Sequence, residues 1–188
     1  MRKSPAMAAL LAVDLGVRSG FACYGDDGRL RWYRSQNFGA AARLRRAIPG
    51  LLSNPDDLTR VVIEGGGPLA EPWRAEAEKR GVLVQRVSAE EWRSLFLLPR
   101  EQQSGSQAKE VAGRLARRVI EWSGAPRPTS LRHDAAEAVL VGLWGVIDWS
   151  GAPRPTSLRH DAAEAILVGL WGVLSAGWLR VLPPGLLR

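Results

Sequence analysis

Leu131 to Trp144 (LRHDAAEAVLVGLW) is the stretch that most limits what this chain can fold into. It reads as a helix with an acidic first turn and an apolar remainder. Thr129 and Ser130, just after Pro128, are candidates for its N-cap. Asp134 and Glu137 stand three apart, so both carboxylates project from one face. Ala135 and Ala136 between them are small enough to let other backbone come close. Val139, Leu140, Val141, Leu143 and Trp144 follow, which is no pattern for a solvated helix. The helix is driven into a core and its acidic end is left at the core's edge. One account of those acids is plain complementation of the helix dipole; the other is chemistry, and the rest of the chain bears on the choice.

The stretch occurs twice. Trp122 to Asp148 and Trp149 to Ser175 differ at three of 27 positions: Val139/Ile166, Ile147/Leu174 and Asp148/Ser175. Two copies with no trace of a third do not make a solenoid. They read as one tandem duplication of a segment that the fold needs once. His133, Asp134 and Glu137 thus have duplicates in His160, Asp161 and Glu164. We expect a domain over 1–148 and a duplicate of 122–148 plus a tail over 149–188, with the first copy filling the site.

The 188 residues suit one domain with an appendage, and 46% hydrophobic residues suffice for a core. The net charge of +7 points to an anionic partner, nucleic acid first; a merely basic surface is the other account. A single cysteine, Cys23, excludes an intrachain disulfide framework and a cysteine-based zinc site, and fits a reducing compartment. The basic, briefly apolar N-terminus reads as a first strand rather than a signal peptide. No apolar run reaches the length of a membrane span.

In order, Ala8–Asp14 reads as a buried strand ending in an acid, and Leu15–Gly20 as a tight turn. Phe21–Tyr24 is a second strand, and Asp26-Asp27-Gly28 a hairpin turn. Leu30–Gln36 is a third strand with one wet face. Phe38–Leu52 reads as an amphipathic helix with Arg43, Arg45 and Arg46 on its basic side. Arg60–Glu64 is a fourth strand, again ending in an acid, and Gly65, Gly66 and Gly67 follow. A charged helix over Ala70–Arg80 leads to a fifth strand, Val82–Val87. Ser88 with Glu91 forms a capping box for a short helix to Leu98. Pro99–Gln107 reads as a polar, mobile loop. A basic helix over Ala108–Trp122, with Lys109, Arg114, Arg117 and Arg118, precedes the acidic-headed helix. The order is that of a mixed, layered α/β fold.

Ligand sites in open α/β sheets lie beyond the carboxyl ends of strands. If the first and fourth strands are neighbours, Asp14 and Glu64 face each other there, and Asp134 and Glu137 can close the cluster. Four carboxylates together raise one another's pKa unless a cation neutralises them. Hard divalent ions with oxygen ligands, Mg²⁺ or Mn²⁺, are the expected answer. Two such ions clamp the attacking and leaving oxygens of a phosphoryl displacement. The glycines after Glu64 would let a bulky backbone such as DNA approach. Trp73 and Trp92 read as core residues, with stacking on bases as the other use. His133 is either a helix-start residue or a base beside the metals.

The pieces AVDLGVRSGFA, VVIEGG, VSAEEWRSLFLL before the helix bearing Lys109, and HDAAEA resemble, in that order, RuvC-type Holliday-junction resolvases, including their chloroplast and cyanobacterial-type relatives. The resemblance runs from about Ala8 to about Trp144. It implies a ribonuclease H-like fold with three antiparallel and two parallel strands, flanked by helices. It implies Asp14, Glu64, Asp134 and Glu137 as catalytic, metal-binding carboxylates, two Mg²⁺ or Mn²⁺ ions per site, a homodimer, four-way junction DNA as substrate, and a cytoplasmic, nucleoid-associated place in a bacterial-type cell. Two departures are plain. Glu137 stands where many members carry Asp, and the duplication has no counterpart. The competing functions are another ribonuclease H-like nuclease of the pre-rRNA-processing type, a nucleotide-binding fragment of the actin and sugar-kinase kind, and a junction-binding protein with impaired catalysis.

Overall fold

The computed structural model describes residues 8–149. Five strands form one mixed sheet: β1 (Ala9–Asp14), β2 (Arg18–Gly25), β3 (Leu30–Asn37), β4 (Leu58–Glu64) and β5 (Leu83–Val87), in the order β3-β2-β1-β4-β5. β1, β2 and β3 pair antiparallel as a meander, while β4 and β5 run parallel to β1. This is the three-antiparallel, two-parallel arrangement expected. The helices are α1 (Ala41–Leu52), α2 (Glu71–Lys79), α3 (Ala89–Phe96), α4 (Gly105–Ser123) and α5 (His133–Trp149).

The alternation of side chains along β1 sorts the core into two layers. Leu11 and Val13 face α1 and α2, where they meet Leu44, Ile48, Trp73 and Ala77. Leu10 and Ala12 face the other way, onto α3, α4 and α5. Asp14 shares the parity of Leu10 and Ala12, and Glu64 shares that of Val62. Both acids therefore emerge on the α5 side of the sheet.

α5 seats on that face through its glycines. A Cβ at Gly142 would lie 2.3 Å from the Tyr24 ring, and one at Gly145 would lie 2.7 Å from Val62. The Tyr24 hydroxyl, buried, donates to the Val139 carbonyl at 2.6 Å. Val139, Leu140, Val141 and Val146 are almost wholly buried, which accounts for the unbroken apolar run. Each such side chain contributes roughly 1.5–3 kcal/mol by leaving water.

Three expectations need correction. Leu15–Gly20 is not all turn, because β2 starts at Arg18 and Gly20 already pairs with Asp14. Pro99–Gln107 is not a loose loop: Pro99–Gln102 is a 3-10 turn whose Glu101 carboxylate accepts from Leu98 N–H, and α4 starts at Gly105 with Ser104 as its cap. α5 starts at His133, which leaves Thr129 and Ser130 too early to be its N-cap. Asp134 lies in the first turn, where its carboxylate complements the helix dipole and accepts the Ala135 N–H at 3.0 Å. The capping box of Ser88 and Glu91 on α3 forms as read. None of the described helices is long and apolar enough to cross a membrane.

Candidate metal centre

The sheet register sets out the site as a single row. Ser35 on β3 pairs with Gly20 on β2, Gly20 with Asp14 on β1, and Asp14 with Glu64 on β4. All four sit at the end of the strands from which the α5 face opens. α5 comes down on the gap in this row. A Cβ at Gly20 would lie 1.8 Å from the Asp134 carbonyl oxygen, so only glycine leaves room for the acidic head of the helix. Beyond Glu64 the chain turns sharply, with Gly65 at φ 109° and Gly67 at φ 66°, conformations that favour glycine. Gly65 and Gly67 thus serve the turn itself.

Asp14, Glu64 and Glu137 each offer an oxygen, all within 4.8 Å of one another. Two oxygens bound to one Mg²⁺ at 2.0–2.1 Å are at most about 4.2 Å apart, while Ca²⁺ spans somewhat more. At most one pair of the three can be trans, and cis oxygens lie about 3 Å apart, so the triad closes around Mg²⁺ or Mn²⁺ by side-chain adjustment. The donor set, three carboxylates and no nitrogen or sulfur, suits a hard divalent ion. The three carboxylates can hold a metal ion.

Asp134 stands beside the triad rather than in it. Its Oδ2 accepts a hydrogen bond from the Ser35 hydroxyl and its Oδ1 accepts from Ala135 N–H. It still raises the pKa of Asp14 through its charge. Of the four acids expected together, three converge closely and the fourth lines the same cleft under its own hydrogen bonds.

The electrostatics of the cluster favour a cation. Asp14 is pushed from an ordinary 3.8 up to about 8, first by burial and then by the charges of Glu64, Glu137 and Asp134. Glu64 is raised as well, chiefly by burial and then by Glu137. Arg93, the hydrogen bond from Asp14 and the Trp92 indole oppose that rise. Both carboxyls of the pair are thus pushed toward the protonated form.

Arg93 is the residue that sequence reasoning missed. It projects from α3, donates from Nη2 to Glu137 Oε1 at 2.8 Å, and stacks its guanidinium 5.1 Å from the Trp92 ring centroid. Ser35 was missed too. Its signal lay in the alternation of β3, which places it on the wet end of the row, but only the register brings it to Asp134.

A cleft of about 550 Å³ opens over Asp14, Asp134 and Glu137, with Arg18, Lys109, Arg132 and His133 in its walls. A second, of about 470 Å³, lies on the β5 side, between Glu64, Arg86, Ser88 and Glu91. The acids form the ridge between the two. Trp73 and Trp92 are fully buried and belong to the core, which removes them from base stacking. The basic residues divide. Lys109 of α4 reaches the cleft, whereas Arg43, Arg45 and Arg46 of α1 are exposed on the layer behind the sheet. His160, Asp161 and Glu164 lie outside the described residues.

No protein-family model matches the chain, and no curated protein matches it. Solved structures do. RuvC of T. thermophilus, in complex with a Holliday-junction substrate, aligns with a TM-score of 0.50 at 14% identity, over 72% of this chain and 90% of that one. The fold is ribonuclease H-like. The yeast mitochondrial Holliday-junction resolvase Ydc2 aligns with a TM-score of 0.48 at 14% identity, over 74% of this chain and 80% of that one. At such identity the likeness is one of fold.

Proposed function

We propose that the protein is a metal-dependent endonuclease that resolves four-way DNA junctions, with Asp14, Glu64, Asp134 and Glu137 as its functional carboxylates. The observation that carries this reading is the convergence of Asp14, Glu64 and Glu137 at adjoining strand and helix ends, beside a cleft walled by cations. The reading is supported by the similarity of the fold to that of the T. thermophilus RuvC structure, which is in complex with a Holliday-junction substrate. A divalent ion, Mg²⁺ or Mn²⁺, would supply the charge that a phosphodiester needs at its oxygens and would lower the pKa of a bound water. Asp14, Glu64 and Glu137 would hold that ion. Asp134, kept in place by Ser35, lines the cleft where a further ligand is wanted. Lys109, Arg18 and Arg132 would bind the phosphates that flank the scissile one. Because a four-way junction carries two symmetry-related strands to be cut, the working form is a homodimer with two identical sites.

The test is incubation with a synthetic four-way junction, a linear duplex and a single-stranded RNA in Mg²⁺. Paired nicks in the junction alone are expected. Cleavage of the RNA and not the junction would favour an RNA-processing nuclease of the same fold, and binding without any cleavage a junction-binding protein. Asp14→Asn changes charge with little change of shape, so it should abolish cleavage and leave junction binding intact. Full cleavage by that variant in Mg²⁺ refutes the assignment.

A further inference from the structure

Two features of the acidic centre do not fit a pair of ions. The first is Arg93. Its ion pair with Glu137 has both partners largely buried, with 26% and 11% of the side chains exposed. Its Nε is buried without a hydrogen-bond partner, and the Trp92 ring backs its guanidinium. Parting such an arginine from Glu137 would leave a largely buried charge without its partner. The second is Asp134, whose oxygens are already engaged by Ser35 and by Ala135 N–H. Glu137 Oε1 thus already carries the hydrogen bond of a cation, and Asp134 is held beside the triad by its own partners.

We propose that Arg93 is a built-in cation of this centre, standing in for a second divalent ion, so that the site takes one ion, between Asp14, Glu64 and Glu137. This rests on the metal-binding reading above and narrows it from the two ions expected to one. The charge count supports it. Four carboxylates against one guanidinium leave three negative charges, one divalent ion leaves one, and a second ion would make the cluster positive in a half-buried place. A unit positive charge a few ångströms from a divalent ion repels it strongly at protein dielectric. Arg93 also orients Glu137, as the outer hydrogen-bond partners of metal ligands do. It is a positioning residue, since it touches a ligand and not the ion.

The test is a Mn²⁺ titration of the full-length chain without DNA, followed by electron paramagnetic resonance. Only ions within one centre, about 3.5–4 Å apart, give the spectrum of a coupled pair, so an ion held elsewhere by Asp161 and Glu164 does not confuse the count. The native chain should show bound, uncoupled Mn²⁺, lost in Asp14→Asn. Arg93→Gln should show a coupled pair, its second ion bound at least about tenfold tighter than any second ion in the native centre. Arg93→Lys keeps the charge and should show no pair. A coupled pair in the native chain or in Arg93→Lys overturns the role of Arg93 and leaves the metal reading standing, as does a natively folded Arg93→Gln without a pair. If Arg93→Gln does not fold, the native and lysine spectra decide. Failure of the native chain to bind Mn²⁺ overturns both.

Discussion

Asp14, with Glu64 beside it, shapes how the metal-free protein responds to pH. Its carboxyl is held at about 8 in the folded chain against 3.8 when unperturbed. Between those values the folded chain keeps a proton that the unfolded chain has released. Stability from this group is therefore complete below about pH 4 and is lost as pH rises to about 8. In EDTA, the unfolding temperature should fall from pH 5 to pH 8. Asp14→Asn, which cannot ionise, should flatten that fall and raise the metal-free unfolding temperature near pH 8. Mg²⁺ at about 100 times its dissociation constant adds roughly 2.7 kcal/mol, and its effect should grow with pH because the ion displaces the proton. A Mg²⁺ effect that shrinks toward pH 8, read by calorimetry, would contradict the origin given for the shift. Both strand-terminal acids were legible in the sequence as a set: one alone is more often a cap or turn residue, but two, each followed by a Gly-rich turn and joined by the Asp134 and Glu137 pair, point to a site. Arg93 was not. In EEWRSLF it is one charge on a short amphipathic helix, and only the packing of α3 beside α5 brings it to Glu137.

Between elements, the decisive contact is that of α5 with the sheet. The apolar run from Val139 announced a buried helix, and the strand pattern announced the sheet; the closeness of the two could not be read, because glycine in a strand looks like any weak position. Gly20→Ala tests it. The added methyl would meet the Asp134 backbone, so the head of α5 must lift. Overpacking of this kind costs about 1–3 kcal/mol. We expect a loss of several degrees in unfolding temperature and a larger loss of metal affinity. Unchanged metal binding would show that α5 has other room to settle. Ser and Thr after Pro look like a cap for α5, whereas the helix starts three residues beyond Ser130, at His133. The basic elements separate in the same way. Net charge and spacing gave no means of telling α1 from α4, but the layers do. Replacing Lys109 and Arg18 by Gln should weaken junction binding and reduce the salt slope by about two, at close to 0.9 per phosphate released. The same change at Arg43, Arg45 and Arg46 should leave the slope nearly as it was. An equal effect from both sets, measured by fluorescence anisotropy from low to high salt, would mean that DNA wraps the back layer too.

At the scale of the molecule, the chain contains two sequences able to fill one seat. His133–Trp149 fills it in the described structure, and the duplicate matches it at both glycines that the sheet demands, Gly169 for Gly142 and Gly172 for Gly145. The three differences set the margin. Val139 is fully buried, so Ile166 would need space for one more methylene in a closed core, where overpacking costs about 1 kcal/mol or more. Ile147 to Leu174 nearly conserves volume. Asp148 accepts a hydrogen bond from Gln85 at 2.8 Å, which the shorter Ser175 cannot reach in the same way, a loss of about 1 kcal/mol. Together these favour the first copy by about 2 kcal/mol, some thirtyfold, before connectivity is counted. The homodimer proposed above makes the same question intermolecular, because a near-identical helix from a second chain can exchange into the seat. Paired substitutions resolve it. Asp134→Asn with Glu137→Gln should abolish junction cleavage, while Asp161→Asn with Glu164→Gln should leave at least most of it. Cleavage that survives in the first pair would mean that the duplicate serves the site, in cis or in trans. Loss of cleavage in the second pair alone would make the duplicate the working helix and overturn the ranking drawn from Val139 and Asp148.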